Sequence, residues 1–170
     1  MKDIVPPGRP TAYSRIVLSR IMTTLDVNLY GTVHGGVIMK FVDDAAGAVA
    51  ARHCGFNAVT VAIDEIELLV PVRVGDLTYA KAQVNWTGRT SLEIGVTVLA
   101  ERWNEGGRQP ERVATAYLVF VGVDENNQPR PVPPVLTENE TDERRFYEAE
   151  IRRQHRLARR KAIAAHRELS

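Results

Sequence analysis

A change of hydrophobic period narrows the possible folds of this chain most: one helical stretch is followed by four stretches of alternation. Over residues 35–53, Ile38, Phe41, Val42, Ala45, Val49 and Ala50 recur at steps of three and four, while Ala46, Ala48 and Ala51 fill much of the remaining circumference. A helix with that pattern is buried on most of its sides. From Val59 onward the period is two, over 59–68, 77–86, 92–100 and 113–123, which predicts strands. The breaks between them, 71–75, 88–89 and 104–109, suit antiparallel meander connections and are too short for helical crossovers. Another short strand is predicted over 15–22, followed by a polar, turn-rich loop over 23–34 that delivers the chain to the helix.

The flanks differ from this centre. Residues 1–14 carry Pro6, Pro7, Gly8 and Pro10, which predicts a loose N-terminal arm. Residues 125–136 hold Pro129, Pro131, Pro133 and Pro134 and predict an extended linker. Residues 137–170 are rich in Arg and Glu, lack Gly and Pro, and begin with the capping candidates Thr137, Asn139 and Thr141, so a long exposed helix is predicted. With 170 residues in all, one domain over 15–124 with these decorations is the economical division, since domains commonly run to about 100–200 residues.

Global charge excludes little and demands less. The chain has 22 basic and 21 acidic residues, a net +1, so nothing overall draws it to nucleic acid or an anionic membrane, and an anionic ligand must be met locally. The lone Cys54 excludes an intrachain disulfide and fits a reducing compartment. No stretch approaches the roughly 18 apolar residues of a membrane span, and the start of the chain lacks a signal-like apolar run. A cytoplasmic location is expected.

Most familiar chemistries find no footing. Neither GxGxxG nor GxxxxGK[ST] occurs. His34, His53, His155, His166 and Cys54 lack metal-ligand spacing, so no metal is expected, and His53-Cys54-Gly55 fits the end of a helix. Ser14, Ser19 and Ser91 lack a nucleophile elbow, and the side chain of His53 diverges from Cys54 on a helix.

Two places remain. Gly35-Gly36 opens the buried helix, where unpaired N–H groups could stabilise an oxyanion or could simply start a helix. Asp43 and Asp44 lie about two turns further on and point about 100° apart. They either serve chemistry or face a wet groove beside Lys40 and Arg52. Residue type alone leaves both questions open.

Longer motifs go further. Val33-His34-Gly35-Gly36-Val37, Met39-Lys40, Val42-Asp43-Asp44-Ala45-Ala46-Gly47, Ala50-Ala51-Arg52-His53-Cys54 and Val70-Pro71-Val72-Arg73-Val74-Gly75 follow one another at fixed spacing. Together with 87–93, they resemble the hotdog-fold acyl-CoA thioesterases, above all the cytosolic brain-type hydrolases and their short bacterial relatives. The resemblance covers roughly residues 13–165. It implies an α+β hotdog fold, with a long central helix wrapped by a curved antiparallel sheet and a C-terminal helix added. It also implies that two subunits pair their sheets and share each active site, with Asn28 and Asp43 as catalytic residues from different subunits.

The resemblance further implies a fatty acyl-CoA substrate hydrolysed to free acid and CoA, with no cofactor beyond the CoA of the substrate. Backbone donors near Gly35 and Gly36 would hold the carbonyl oxygen. The loop Thr87-Gly88-Arg89-Thr90-Ser91 would meet the nucleotide, with Arg73 a weaker candidate, and the assembly would be a trimer of dimers. His34, aromatic in some bacterial relatives, is given a supporting role, and Asp44 is left out. Brain-type enzymes fuse two hotdog domains whereas this chain has one, so both catalytic residues must come from identical subunits.

Two rivals stand beside this reading. A hydroxyacyl-thioester dehydratase would use His34 with the downstream Asp43, although the spacing of Asn28 and Asp43 argues against it. A non-catalytic sensor would bind acyl-CoA and leave it intact.

Overall fold

The buried helix forms as its pattern requires. In the computed structural model, which describes residues 6–102, 104–105 and 109–168, α2 spans Gly35–Cys54 and buries Ile38, Phe41, Val42, Ala45, Ala46, Val49 and Ala50. Each large apolar side chain so removed from water contributes about 1.5–3 kcal/mol. The helix stops at Gly55, whose φ of 76° is the left-handed conformation a glycine takes without strain, and whose N–H donates to the Ala51 carbonyl.

Five strands surround α2: β2 (Ile16–Ile21), β3 (Ala58–Leu68), β4 (Leu77–Thr87), β5 (Ser91–Glu101) and β6 (Glu111–Gly122). They form one antiparallel sheet in the order β2-β4-β5-β6-β3. Alternation decides its faces. Ala80, Ala82 and Val84 of β4, Leu92, Ile94, Val96 and Val98 of β5, and Ala114, Ala116, Leu118 and Phe120 of β6 turn inward to the core around α2. Lys81, Thr97 and Thr115 stand opposite one another on the outer face. Bulges in β3, β4 and β6 bend the sheet, and α2 touches all five strands. The result is the helix in a curled sheet that the resemblance implies.

The flanks are less loose than their prolines suggest. Arg9–Pro10 forms β1, which pairs in parallel with β7, Val135–Leu136, and Thr11–Ser14 forms the short helix α1 with Thr11 and Ser14 buried. The expectation of a loose arm is thus corrected over 9–14, while residues 1–5 lie outside those described. The cause is the C-terminus of α2, which leaves carbonyls without helical partners. Arg9 donates to the carbonyls of Arg52 and His53 at 2.9 and 2.7 Å. The linker over 125–136 likewise ends as β7.

The last helix, α3, spans Glu140–Glu168, and residues 169–170 lie outside the description. It was expected to carry solvated charge, and two of its arginines do not. Arg152 makes two hydrogen bonds to the buried Glu93 of β5 at 2.7 and 3.2 Å and stacks 3.6 Å above the Tyr117 ring. Arg156 pairs with Asp64 of β3, both largely buried. The break expected over 104–109 falls partly outside the described residues.

Candidate active site

Between β2 and α2 the chain builds a stiff loop. Asp26 is its anchor. Its carboxylate accepts from the Thr23 N–H at 2.7 Å, from the Thr23 hydroxyl at 3.0 Å, and twice from Arg20 of β2 at 2.8 Å. The Thr23 N–H, with further help from the Thr23 hydroxyl and Arg20, holds this carboxyl below its ordinary range despite burial. Thr23-x-x-Asp26 is a capping box around the short 3-10 turn Thr24–Asp26. The Asp26 carbonyl then accepts from the His34 N–H at 2.8 Å, which ties the loop to the start of α2.

Asn28 sits inside this frame. Its Oδ1 accepts from the N–H of Tyr30 at 2.8 Å and of Thr32 at 3.3 Å, and its Nδ2 donates to the Thr32 hydroxyl at 3.0 Å. The side chain is therefore held by its own turn, which Gly31 closes at a φ of 77°. On either side of it Leu25, Leu29 and Tyr30 are 94%, 102% and 91% exposed. The loop touches its own chain with polar groups and offers apolar ones outward.

Asp43 lies on the uncovered flank of α2. It accepts from the Thr60 hydroxyl of β3 at 2.9 Å, whereas Asp44 pairs with Lys40 at 2.7 Å. The two aspartates face different surroundings, as their angular offset requires. Among the described residues Asn28 and Asp43 do not bond to each other within the chain: the side-chain partners of Asn28 lie in residues 30–32, and that of Asp43 is Thr60. Thr60 was missed in the sequence because it comes from another element and carries no local motif. Asp26 was missed as well, although the spacing Thr23-x-x-Asp26 of its capping box is a local signal that shows it.

At the helix start one expectation needs correcting. The Gly36 N–H already donates to His34 Nδ1 at 3.0 Å, which gives His34 the role of a helix cap. Gly36 is thus not a free oxyanion donor. Gly35 lies under Leu68, whose side chain would stand 3.0 Å from an added Cβ, and no acceptor binds its N–H among the described residues.

The nucleotide candidates separate into two places. Residues 88–90 connect β4 to β5, where the Thr90 carbonyl accepts from Gly122 and the Arg89 carbonyl from Val132, each at 2.9 Å. Ser91 opens β5 on the same end of the sheet as Ala58 of β3, since it pairs with Val121 and Ala58 with Gly122. Arg73 lies before the first residue of β4, and an eleven-residue strand separates it from this hairpin. At about 3.3 Å per residue that is roughly 35 Å, so one chain does not bring Arg73 together with Arg89, Thr90 and Ser91.

A second histidine invites comparison with a nucleophile and its base. His53 Nδ1 meets the Ser14 hydroxyl at 3.2 Å and Nε2 meets the Pro133 carbonyl at 3.0 Å. Both residues are fully buried, so this pair fastens α1 and the proline-rich segment to α2 and has no route to a substrate. Burial pushes the neighbouring Cys54 thiol up to about 11, which leaves it unreactive.

Known proteins share this loop, helix and sheet. Residues 30–107 match the thioesterase superfamily. An uncharacterized acyl-CoA thioester hydrolase of Bacillus subtilis is 36% identical over 137 residues, 81% of this chain and 78% of that protein. The chain belongs to the thioesterase superfamily. The mouse cytosolic acyl-CoA thioester hydrolase is 35% identical over 147 residues, 86% of this chain but 39% of its own length. This chain thus spans about two fifths of the mammalian relatives it matches. An acyl-CoA hydrolase of Staphylococcus aureus, solved with butyryl-CoA, CoA and CoA disulfide, superposes with a TM-score of 0.86 at 28% identity, covering 95% of this chain and 98% of that one.

Proposed function

We propose that this hotdog hydrolyses fatty acyl-CoA thioesters to free acid and CoA, in the cytoplasm, at a site completed by a second copy of the chain. The observation that carries the reading is the mismatch between the two candidate catalytic residues and their own chain. Asn28 rides on a loop whose apolar side chains point outward, and Asp43 stands open beside β3, an edge strand with Val59, Val61 and Ile63 exposed. A long, apolar, unpaired edge is a template for another strand. Pairing β3 with β3 of a second copy covers it and lays the Asn28 loop of one copy against Asp43 of the other. Three such dimers form the full assembly.

In this site Asp43 either takes a proton from water attacking the thioester carbonyl or attacks that carbonyl itself, with water releasing the acid afterwards. Thr60 aims the carboxylate, and Asn28 orients water or substrate. The Gly35 N–H at the positive end of α2 stabilises the oxyanion, a contribution of about 3–4 kcal/mol for one donor. Arg89, Thr90 and Ser91 hold the phosphates of CoA, and Arg73 lies too far along the sheet to join them from the same chain. No step in this scheme calls for a metal or a cofactor. His34 spends Nδ1 on capping the helix, which favours a supporting role over that of a dehydratase base.

The test is thiol release from acyl-CoAs graded from acetyl to palmitoyl. Wild type is expected to turn over, and Asn28→Ala and Asp43→Ala to lose about 10²–10⁴-fold with oligomer mass unchanged. Enoyl-CoA formation would replace this reading with the dehydratase, and intact acyl-CoA with every chain length would replace it with the sensor.

A further inference from the structure

The geometry points to the exposed end of α3 as a clasp across the outer sheet face of a second copy of the chain, facing Glu65 and Glu67 of the partner subunit. It rests on the β3-edge pairing proposed above. The path of α3 comes first. Asp142 meets Gln83 of β4, Arg152 meets Glu93 of β5 and Tyr117 of β6, and Arg156 meets Asp64 of β3. The helix therefore slants across the outer face toward the β3 edge. From Asp142 to Arg156 it covers about 21 Å of axis while crossing three strand spacings, about 14 Å of sheet.

Beyond Arg156 the helix has no sheet of its own beneath it. Every residue from Leu157 to Glu168 is exposed, a further run of about 18 Å. At the same slant this overhang spans two to three strands of any sheet that continues past β3, at about 4.8 Å each. A sheet continued through that edge keeps its outer face on the side where α3 lies, so the overhang lies over that face, beside the α3 that the second copy carries there itself. Leu157 and Ile163 are both exposed on it.

Charge identifies what lies underneath. The overhang carries Arg159, Arg160, Lys161 and Arg167 against Glu168 as its one carboxylate side chain. The outer face of β3 carries Glu65 and Glu67, paired across the sheet with Tyr117 and Thr115. Asp64 already has Arg156, and Glu67 has the Thr115 hydroxyl. Between α3 and β3 runs a groove of about 390 Å³, lined by Glu65, Ile151, His155 and Arg159 among others. Arg159 shares this groove with Glu65 of its own chain, whereas Arg160, Lys161 and Arg167 lie further along the overhang and come over the acidic strand face of a second copy when two chains join.

Sedimentation of the full-length chain over a concentration series tests this. Arg160→Glu with Lys161→Glu and Arg167→Glu is expected to raise the dimer dissociation constant about tenfold, and Glu65→Lys with Glu67→Lys to do the same. Combining the two sets is expected to return it to within about threefold of wild type. An unchanged constant in either set, or losses that add instead of cancelling, would overturn the clasp while dimers with normal thioester turnover leave the shared site standing. A chain that stays monomeric at every concentration overturns both.

Discussion

On α2, Asp43 and Asp44 stand at the chain's surface, each with one near partner; on α3, Arg152 and Arg156 reach inward to buried carboxylates on the sheet. The composition of the two helices suggests the reverse, since α2 is mostly apolar and α3 mostly charged. What separates them is the neutralising partner. Arg152, Arg156 and Asp44 each meet an opposite charge in their own chain, while among the described residues Asp43 meets a hydroxyl. In the proposed function it is this un-neutralised carboxylate that meets the thioester.

The sharpest way to break this contrast is on α3. Arg152→Ala leaves Glu93 buried beside Asn85 without its counter-ion, and urea unfolding should show a loss of about 3–5 kcal/mol. Replacing both members of the pair, Arg152→Met with Glu93→Leu, should recover most of that loss. A loss below 1 kcal/mol in the single variant, which is the usual ceiling of about 1 kcal/mol for surface pairs, would make the Arg152 contact no different from a solvated one.

A smaller effect comes from the far end of α2. Burial holds the His53 imidazole below its ordinary value of 6.5, with the Pro133 carbonyl opposing and the Arg9 charge adding. Below pH 6.5 the unfolded chain thus binds more protons than the folded one. The contribution to stability is complete above that pH and declines as pH falls through it, by up to about 1.4 kcal/mol per pH unit. The carboxyl of Asp26, also lowered, adds its own loss only below its ordinary 3.8. Urea midpoints between pH 7.5 and 5 should fall in wild type and flatten in His53→Gln; a flat wild-type profile would show that His53 is free to protonate.

The smallest effect belongs to the exposed pair on α2. Asp44→Ala or Lys40→Ala should change unfolding by no more than about 0.5 kcal/mol and leave thiol release intact. If Asp44→Ala abolished turnover as Asp43→Ala is expected to, the distinction between the two aspartates would collapse.

Much of this was legible in the sequence because it is local. The period of 35–53 and the four alternating segments produced α2 and β3 to β6 nearly to the residue, and Gly55 closed α2 as expected. The docking of residues 9–14 was not legible, because Arg9 reaches carbonyls more than forty positions away that no nearby residue announces. The same holds for Thr60 beneath Asp43, and for Glu93 and Asp64 under α3. At the helix start the sequence showed two glycines but not that the His34 ring would take the Gly36 N–H, since that depends on one side-chain rotamer. The wide separation of Arg73 from Arg89 follows from strand length, which was readable, yet the shared chemistry of two arginines obscured it.

The account stands on a site divided between two copies, and subunit mixing tests that most directly. Asn28→Ala and Asp43→Ala chains, each inactive alone, are unfolded together and refolded. Random pairing makes half of the dimers mixed, and one of the two sites in each mixed dimer holds both native residues, so thiol release should return to about a quarter of wild type. Turnover no higher in the mixture than in either variant alone would place Asn28 and Asp43 in the same chain's site and contradict the account.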